Sequence, residues 1–200
     1  MTFGFVHESR FCSGCKACQM ACKEKNHTAE GKNFRKVITC EGGGYQQTEA
    51  GFENTVYAYS LSISCNHCAK PLCVKSCPSG AMQKEPGSGI VFIEEKLCIG
   101  CGACRRACPY DAPQQNVQNK IMKKCDLCRD LLREGKEPAC VSACPLRLLH
   151  AGDLRELEKQ YTGKAEVEPL PAAKLTEPSL RIVLDPQIRK RNRKTQQSEF

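Results

Sequence analysis

The placement of cysteine constrains this chain more than any other feature. Of 200 residues 17 are Cys, and all but Cys40 fall into four groups of four. The first is Cys12, Cys15, Cys18 and Cys22, spaced C-x2-C-x2-C-x3-C. The second is Cys65, Cys68, Cys73 and Cys77, spaced C-x2-C-x4-C-x3-C, and the third is Cys98, Cys101, Cys104 and Cys108, with the spacing of the first. In the fourth, Cys125, Cys128, Cys140 and Cys144, the middle gap stretches to eleven residues. Pro78, Pro109 and Pro145 close three of them. This is a repeated motif, not a bias of composition.

The spacing matches the needs of a cubane iron–sulfur cluster. A short loop with Cys at every third position can wrap three irons, and in two-cluster ferredoxins the fourth Cys ligates the other cluster. The following Pro fixes φ and directs the chain away. Gly14, Gly100 and Gly102 let the backbone curl close to inorganic sulfide, where loop amides can donate to sulfur and tune the potential. Zinc also takes four thiolates, but structural zinc sites join two separated pairs, and three Cys within seven residues suit a tetrahedral ion poorly. A disulfide framework needs an oxidising compartment and usually a small secreted protein.

Exchange of fourth ligands requires the quartets to be paired. Only 20 residues separate the second from the third, so these two are expected to form one module and the outer two another. The expected clusters are Cys12, Cys15, Cys18 with Cys144; Cys125, Cys128, Cys140 with Cys22; Cys65, Cys68, Cys73 with Cys108; and Cys98, Cys101, Cys104 with Cys77. We number them one to four along the path outer module to inserted module, the Cys125 cluster being the second and the Cys65 cluster the third. All sixteen Cys bind metal through iron. The expected fold is α+β: two nested bacterial-type 2[4Fe–4S] ferredoxin-like modules, a short helix and an extended C-terminal tail. Residues 1–30 and 115–150 form the outer module, 55–114 the inserted one, 31–54 a connecting insertion and 151–200 the C-terminal region. Cys40 stands alone before Gly42–Gly44 and reads as a non-ligand in a turn. His67, between Cys65 and Cys68, reads as packing or hydrogen-bonding near a cluster.

Composition agrees. Apolar residues are 40% of the chain, about 80, and removing 17 Cys leaves 63, with no Trp. That is thin for a protein expected to bury about 70% of its unfolded surface, so bound clusters are expected to help hold the fold. No apolar run approaches 18 residues, so no membrane span is expected. The first ten residues lack the form of a signal peptide, and without one a Cys-rich sequence points to metal.

Residues 56–64, with Tyr59, Leu61 and Ile63 alternating with Ser60, Ser62 and Ser64, predict a half-buried strand, and 90–93 a second strand. Residues 19–25 and 126–134 read as helical. At 153–161 an Asp153/Glu156 capping box precedes an amphipathic helix. Residues 23–58 are expected to pack over the clusters. Pro169, Pro171, Pro178 and Pro186 mark an extended tail lying on a surface rather than in a core, and the basic run from Arg189 to Lys194 reads as solvated. There is no G-x-G-x-x-G or P-loop and no catalytic constellation, the four His being scattered. The chain has means to carry electrons and none evident to transform a substrate.

With these residues in hand, the sequence resembles the four-cluster iron–sulfur subunits of the molybdopterin oxidoreductase superfamily, and in particular the dimethyl sulfoxide reductase type. The likeness rests on Tyr59 to Cys68 (YSLSISCNHC), Cys77 to Met82 (CPSGAM), Cys98 to Cys101 (CIGC), Cys108 to Gln114 (CPYDAPQ), Cys144 to Arg147 (CPLR) and Pro169 to Pro171 (PLP), and it runs from about residue 3 to 186. It implies a non-catalytic subunit between a molybdopterin catalytic subunit and a quinol-linked integral membrane anchor. The inserted-module clusters would lie toward the anchor. Related nitrate reductase subunits replace a Cys of the third quartet; here Cys101 and Cys104 are both present, so four [4Fe–4S] clusters are expected. Polysulfide, thiosulfate, tetrathionate and arsenate reductases and some formate dehydrogenases use similar subunits and remain alternatives. Outside the class stand a free polyferredoxin and a zinc-binding nucleic-acid protein. Attachment to the membrane would be through the partners, on the cytoplasmic side or, by co-export with the catalytic subunit, in the periplasm.

The resemblance also revises the charge. Lys plus Arg is 30 and Asp plus Glu 22, a formal +8 that by itself hints at nucleic acid. Each oxidised cluster with four thiolates carries roughly −2, so four bring the sum near zero. Lys16, Lys23, Lys75, Arg105, Arg106 and Lys124 then read as compensation, and no nucleic-acid partner is expected.

Overall fold

The computed structural model describes residues 1–188; the basic run from Arg189 lies outside the described residues. Strand β1 (Phe3–His7) opens the chain and helix α1 (Ala17–Lys25) follows the first Cys loop. Four strands come next: β2 (Lys36–Gly42), β3 (Tyr45–Thr48), β4 (Gly51–Asn54) and β5 (Tyr57–Ile63). The middle of the chain holds α2 (Leu72–Lys75), the hairpin strands β6 (Met82–Lys84) and β7 (Val91–Ile93), α3 (Ala103–Ala107), and the short pair β8 (Gln114–Gln115) and β9 (Met122–Lys123). Helices α4 (Arg129–Arg133) and α5 (Ala139–Ser142), strand β10 (Leu149–Asp153), helix α6 (Leu154–Gln160) and strand β11 (Leu180–Ile182) complete it. Helices α2 to α5 are only four or five residues long, too short to stand alone; packing holds them.

The ends of the chain close on each other. Strand β1 lies between β10, antiparallel from Phe3↔Asp153 to His7↔Leu149, and β11, parallel from Phe5↔Leu180 to His7↔Ile182. A Cβ at Gly4 would stand 2.3 Å from the Ser179 carbonyl oxygen, so this approach requires glycine. Helix α1 packs on α5, and α2 on α3, which sets elements of the first and fourth quartets together and likewise those of the second and third. The main core joins Phe5, Phe34, Tyr59, Leu61, Leu127, Leu149 and Ile182 with Cys22, Cys65, Cys125 and Cys140. Seven Cys are buried, among them Cys73, Cys104 and Cys128; they occupy interior positions that aliphatic residues fill in other proteins.

Several expectations change. Strand β5 is buried on both faces, with Ser60, Ser62 and Ser64 at 6%, 2% and 6% exposure, because its serine face turns toward the Cys loops. The C-terminal region is not a surface strap: Val167, Leu180, Ile182 and Leu184 are all core residues, since β1 leaves an edge that β11 covers. Helix α4 starts only at Arg129, because Leu127 and Cys128 are left-handed (φ 65° and 51°). At α6, Asp153 Oδ1 accepts from the Arg155 N–H at 3.2 Å, but Glu156 binds Lys159 at 2.8 Å, so the reciprocal half of the capping box is absent. The insertion divides: Phe34, Arg35 and Val37 are buried, whereas β3 and β4 are exposed throughout. Cys40 lies inside β2 opposite Tyr59, not in a turn.

Candidate functional site

The four Cys loops share one backbone device. In each, the residue just before the second Cys is left-handed: Gly14 (φ 70°), His67 (φ 43°), Gly100 (φ 69°) and Leu127 (φ 65°). Only two are glycine. Non-Gly residues there cost of order 1–3 kcal/mol each, so the loops hold the same curl at a local expense. Amides of the loops and of neighbouring segments reach the sulfurs. Backbone N–H groups donate to sulfur from Met82 to Cys77 (3.4 Å), Met122 to Cys98 (3.3 Å), Leu127 to Cys125 (3.4 Å) and Leu148 to Cys144 (3.3 Å). Side chains join them, with Asn26 Nδ2 3.7 Å from Cys22 Sγ and Ser62 Oγ 3.2 Å from Cys18 Sγ.

The sulfurs interact in groups. Burial pushes the Cys12 thiol up, the Gly14 amide opposes it, and Cys18, Cys144 and Cys15 add to the rise. Burial raises Cys22 to about 12, reinforced by Cys140 and Cys128. The fully enclosed Cys125 is raised by burial, then by Cys22 and Cys65 and, more weakly, by Cys140, with Arg35 opposing. Cys68 rises to about 11 and Cys73 to about 12, first by burial, both feeling Cys65 and Cys108. Cys104 rises to about 11 by burial, with Cys77 and Cys98 beside it. Cys77 is lowered: burial pushes it up, but hydrogen bonds from Met82, Ser79 and Ala81 outweigh that. Cys101 is exposed in the loop between Cys98 and Cys104. These influences link Cys144 to Cys12, Cys22 to Cys140 and Cys128, Cys108 to Cys68 and Cys73, and Cys77 to Cys104. Cys40 is raised by burial, and a side-chain hydrogen bond with Tyr59 opposes the rise.

Buried thiols of this kind ionise at neutral pH only beside strong positive charge, which iron supplies. Among the described residues no three His, Cys, Asp or Glu converge to hold one metal ion, although the sulfurs interact. The donor set, soft thiols close to one another, fits a multi-iron group bound by several sulfurs.

Fixed cations lie among the quartets. Arg35, 1% exposed, donates to Ser62 O (3.1 Å), Ser62 Oγ (3.0 Å) and Ser64 Oγ (3.0 Å). After burial, the influences on it are Cys140, Cys125, Cys18 and Cys22, and its buried Nε has no hydrogen-bond partner among the described residues. Lys124, 6% exposed, donates to the carbonyls of Val91 and, at 2.8 Å, Cys125, and acts on Cys73 and Cys108. Lys84 Nζ reaches the Cys68 carbonyl at 2.8 Å. The sequence marked Lys124 but not Arg35 or Lys84; the ligand motifs contain neither. Arg105, marked as compensation, instead pairs with Asp111 at 2.8 Å on the surface, and Lys23 donates to the Thr28 and Ala29 carbonyls.

A family model described as a 4Fe-4S dicluster domain matches residues 56–154. The sequence is 46% identical to the B subunit of anaerobic dimethyl sulfoxide reductase of Escherichia coli (strain K12), over 94% of its own length and 91% of that protein. It is 44% identical to the corresponding B subunit of Haemophilus influenzae, over 89% and 87%, and 37% identical to Protein NrfC of Escherichia coli (strain K12), over 89% and 78%. Near full-length likeness, together with sixteen Cys in four motif-spaced groups, shows that this protein belongs to the family of iron–sulfur subunits of anaerobic dimethyl sulfoxide reductases.

Proposed function

We propose that this protein is the electron-transfer subunit of a dimethyl sulfoxide reductase-type respiratory complex, relaying electrons through four [4Fe–4S] clusters between a quinol-linked membrane anchor and a molybdopterin catalytic subunit. One observation carries the reading. We read the four thiol groups as a series entered at Cys15 and Cys101, which are exposed, while Cys22, Cys125, Cys128, Cys140, Cys65, Cys73 and Cys104 are buried. Cys65 is among the charges that raise the Cys125 thiol, which supports placing the second group beside the third. When bound, each cluster supplies a site that gains or loses one electron.

The residues account for the rest. Cys12, Cys15, Cys18 and Cys144 hold cluster 1; Cys22, Cys125, Cys128 and Cys140 cluster 2; Cys65, Cys68, Cys73 and Cys108 cluster 3; Cys77, Cys98, Cys101 and Cys104 cluster 4. Residues 55–114 form the inserted module, and 1–30 with 115–150 the outer one. Phe5, Leu61 and Leu127, each no more than 2% exposed, keep water from the middle. Both ends carry apolar surface for partners: Phe11 (59% exposed) and Leu146 (54%) beside cluster 1, Leu97 (46%) and Ile99 (69%) beside cluster 4. The cluster 1 end meets the catalytic subunit and the cluster 4 end the anchor. Among the described residues no helix is long and apolar enough to cross a membrane, so attachment is through the anchor.

Metal analysis with low-temperature EPR of the dithionite-reduced protein tests this. About sixteen irons and interacting reduced clusters are expected; stoichiometric zinc overturns it. Cys144→Ser should disturb the cluster of Cys12, and an effect confined to the Cys125 cluster overturns the grouping. Co-purification with a molybdenum protein separates a complex subunit from a free ferredoxin.

A further inference from the structure

His67 belongs to the cluster 3 loop yet reaches toward cluster 2. It is wholly buried and occupies the left-handed position between Cys65 and Cys68 that glycine fills in two other loops. Its Nδ1 accepts the Val91 N–H at 3.0 Å, so its own proton sits on Nε2. That nitrogen stands 3.9 Å from Cys125 Sγ. A sulfur that ligates iron carries no proton and can only accept. The backbone is locked as well, because Ser179 Oγ donates to the His67 carbonyl at 3.1 Å. On the far side of Val91, its carbonyl accepts from Lys124 Nζ, which also holds the Cys125 carbonyl. Val91 is thereby clamped between a residue of the cluster 3 loop and the neighbour of a cluster 2 ligand.

We propose that His67 is a positioning residue for transfer between the two modules: its Nε2–H donates to the Cys125 thiolate, raises the potential of cluster 2, and links the ligand loop of cluster 3 to a ligand of cluster 2. The inference rests on the electron-transfer reading above and assigns the step within it that joins one module to the other. A hydrogen bond to a ligating thiolate stabilises the charge that grows on reduction, so its loss disfavours the reduced state.

Two substitutions separate the roles of the ring nitrogens. His67→Asn keeps an acceptor near Nδ1, tolerates left-handed backbone and lacks the distal donor. His67→Gln places an amide donor near Nε2. The EPR signal of cluster 2 is assigned by its loss in Cys140→Ser, and its potential is followed by redox titration of the full-length protein. His67→Asn is expected to lower the reduced-to-oxidised ratio of cluster 2 at fixed potential about tenfold, a midpoint shift of about 59 mV for one electron. His67→Gln is expected to stay near wild type. With iron at about sixteen per molecule, an unmoved midpoint in His67→Asn, or an equal shift in both variants, overturns the role of His67. An iron content well short of that in the wild-type protein overturns the electron-transfer reading instead. Should the variants fail to assemble, wild-type protein labelled with ¹⁵N-histidine still decides. A histidine nitrogen coupling on the cluster 2 signal is expected, and its absence overturns the proposal.

Discussion

Replacing Arg35 by Met should destabilise the protein and shift two clusters at once. The side chain is 1% exposed, makes three hydrogen bonds of 3.0–3.1 Å to Ser62 and Ser64, and lies 4.6 Å over the Phe5 ring. Met fills much of the same space, so the loss is mainly of charge and donors. Removing one partner from a buried charged network costs about 3–5 kcal/mol. For a protein of this size about 1 kcal/mol moves the unfolding temperature by about 2–4 °C, which gives a fall of about 6–20 °C. The same charge acts on Cys140, Cys125, Cys18 and Cys22, the ligands proposed for clusters 1 and 2, so both should become harder to reduce. Each 1 kcal/mol of lost attraction appears as about 43 mV in a one-electron couple. The assay is the temperature at which cluster absorbance is lost, at fixed scan rate because such loss is irreversible, together with EPR redox titration. Arg105→Met is the control, since Arg105 pairs with Asp111 on the surface. A thermal shift no larger than that of the control, with clusters 1 and 2 at wild-type potentials, would refute the reasoning.

Gly100→Ala should deplete cluster 4, because its Cβ would stand 2.5 Å from the Lys120 carbonyl oxygen at φ +69°; Gly80→Ala, at φ +67° with nothing within 4 Å, should cost only about 1 kcal/mol of strain and keep full iron by metal analysis. Acid should weaken the fold through His7, whose pKa is lowered to about 3 by burial, then by Arg35 and His150. The unfolded state takes up this proton below about 6.5 and the folded one does not, so stability falls by about 1.4 kcal/mol per pH unit below that point, down to about pH 3; denaturant titrations at pH 7 and 5.5 should show a smaller loss for His7→Gln. Truncation ahead of Leu180 should prevent stable cluster assembly, since it removes three core residues, Leu180, Ile182 and Leu184, and a soluble product with full iron would contradict this. Cys40→Ala should retain every iron and every EPR signal.

Much of the site was legible because iron–sulfur ligation is local. A loop that wraps a cluster needs Cys at short intervals, and spacing alone divides sixteen Cys into four sets. Strand β5 was legible in position, from the alternation at 57–63, but not in its environment. Period two says that two faces differ, not that the serine face is dry. Ser62 and Ser64 became interior residues because Arg35, from a segment some thirty positions away, enters beneath them. The repeated left-handed residue was half visible: Gly14 and Gly100 signal it, whereas His67 and Leu127 adopt it against their own preference.

The sequence by itself determined the chemistry the protein can host, namely soft sulfur donors in four motif-spaced sets suited to iron–sulfur clusters, since that spacing is local. The tertiary structure decided what surrounds them. It brought Arg35 and Lys124 among the thiols, placed His67 Nε2 3.9 Å from Cys125 Sγ, and drew the proline-marked C-terminal region into the core beside β1. Such choices depend on which distant segments can bury charge and pair backbone together, and that balance is struck only when the whole molecule has packed.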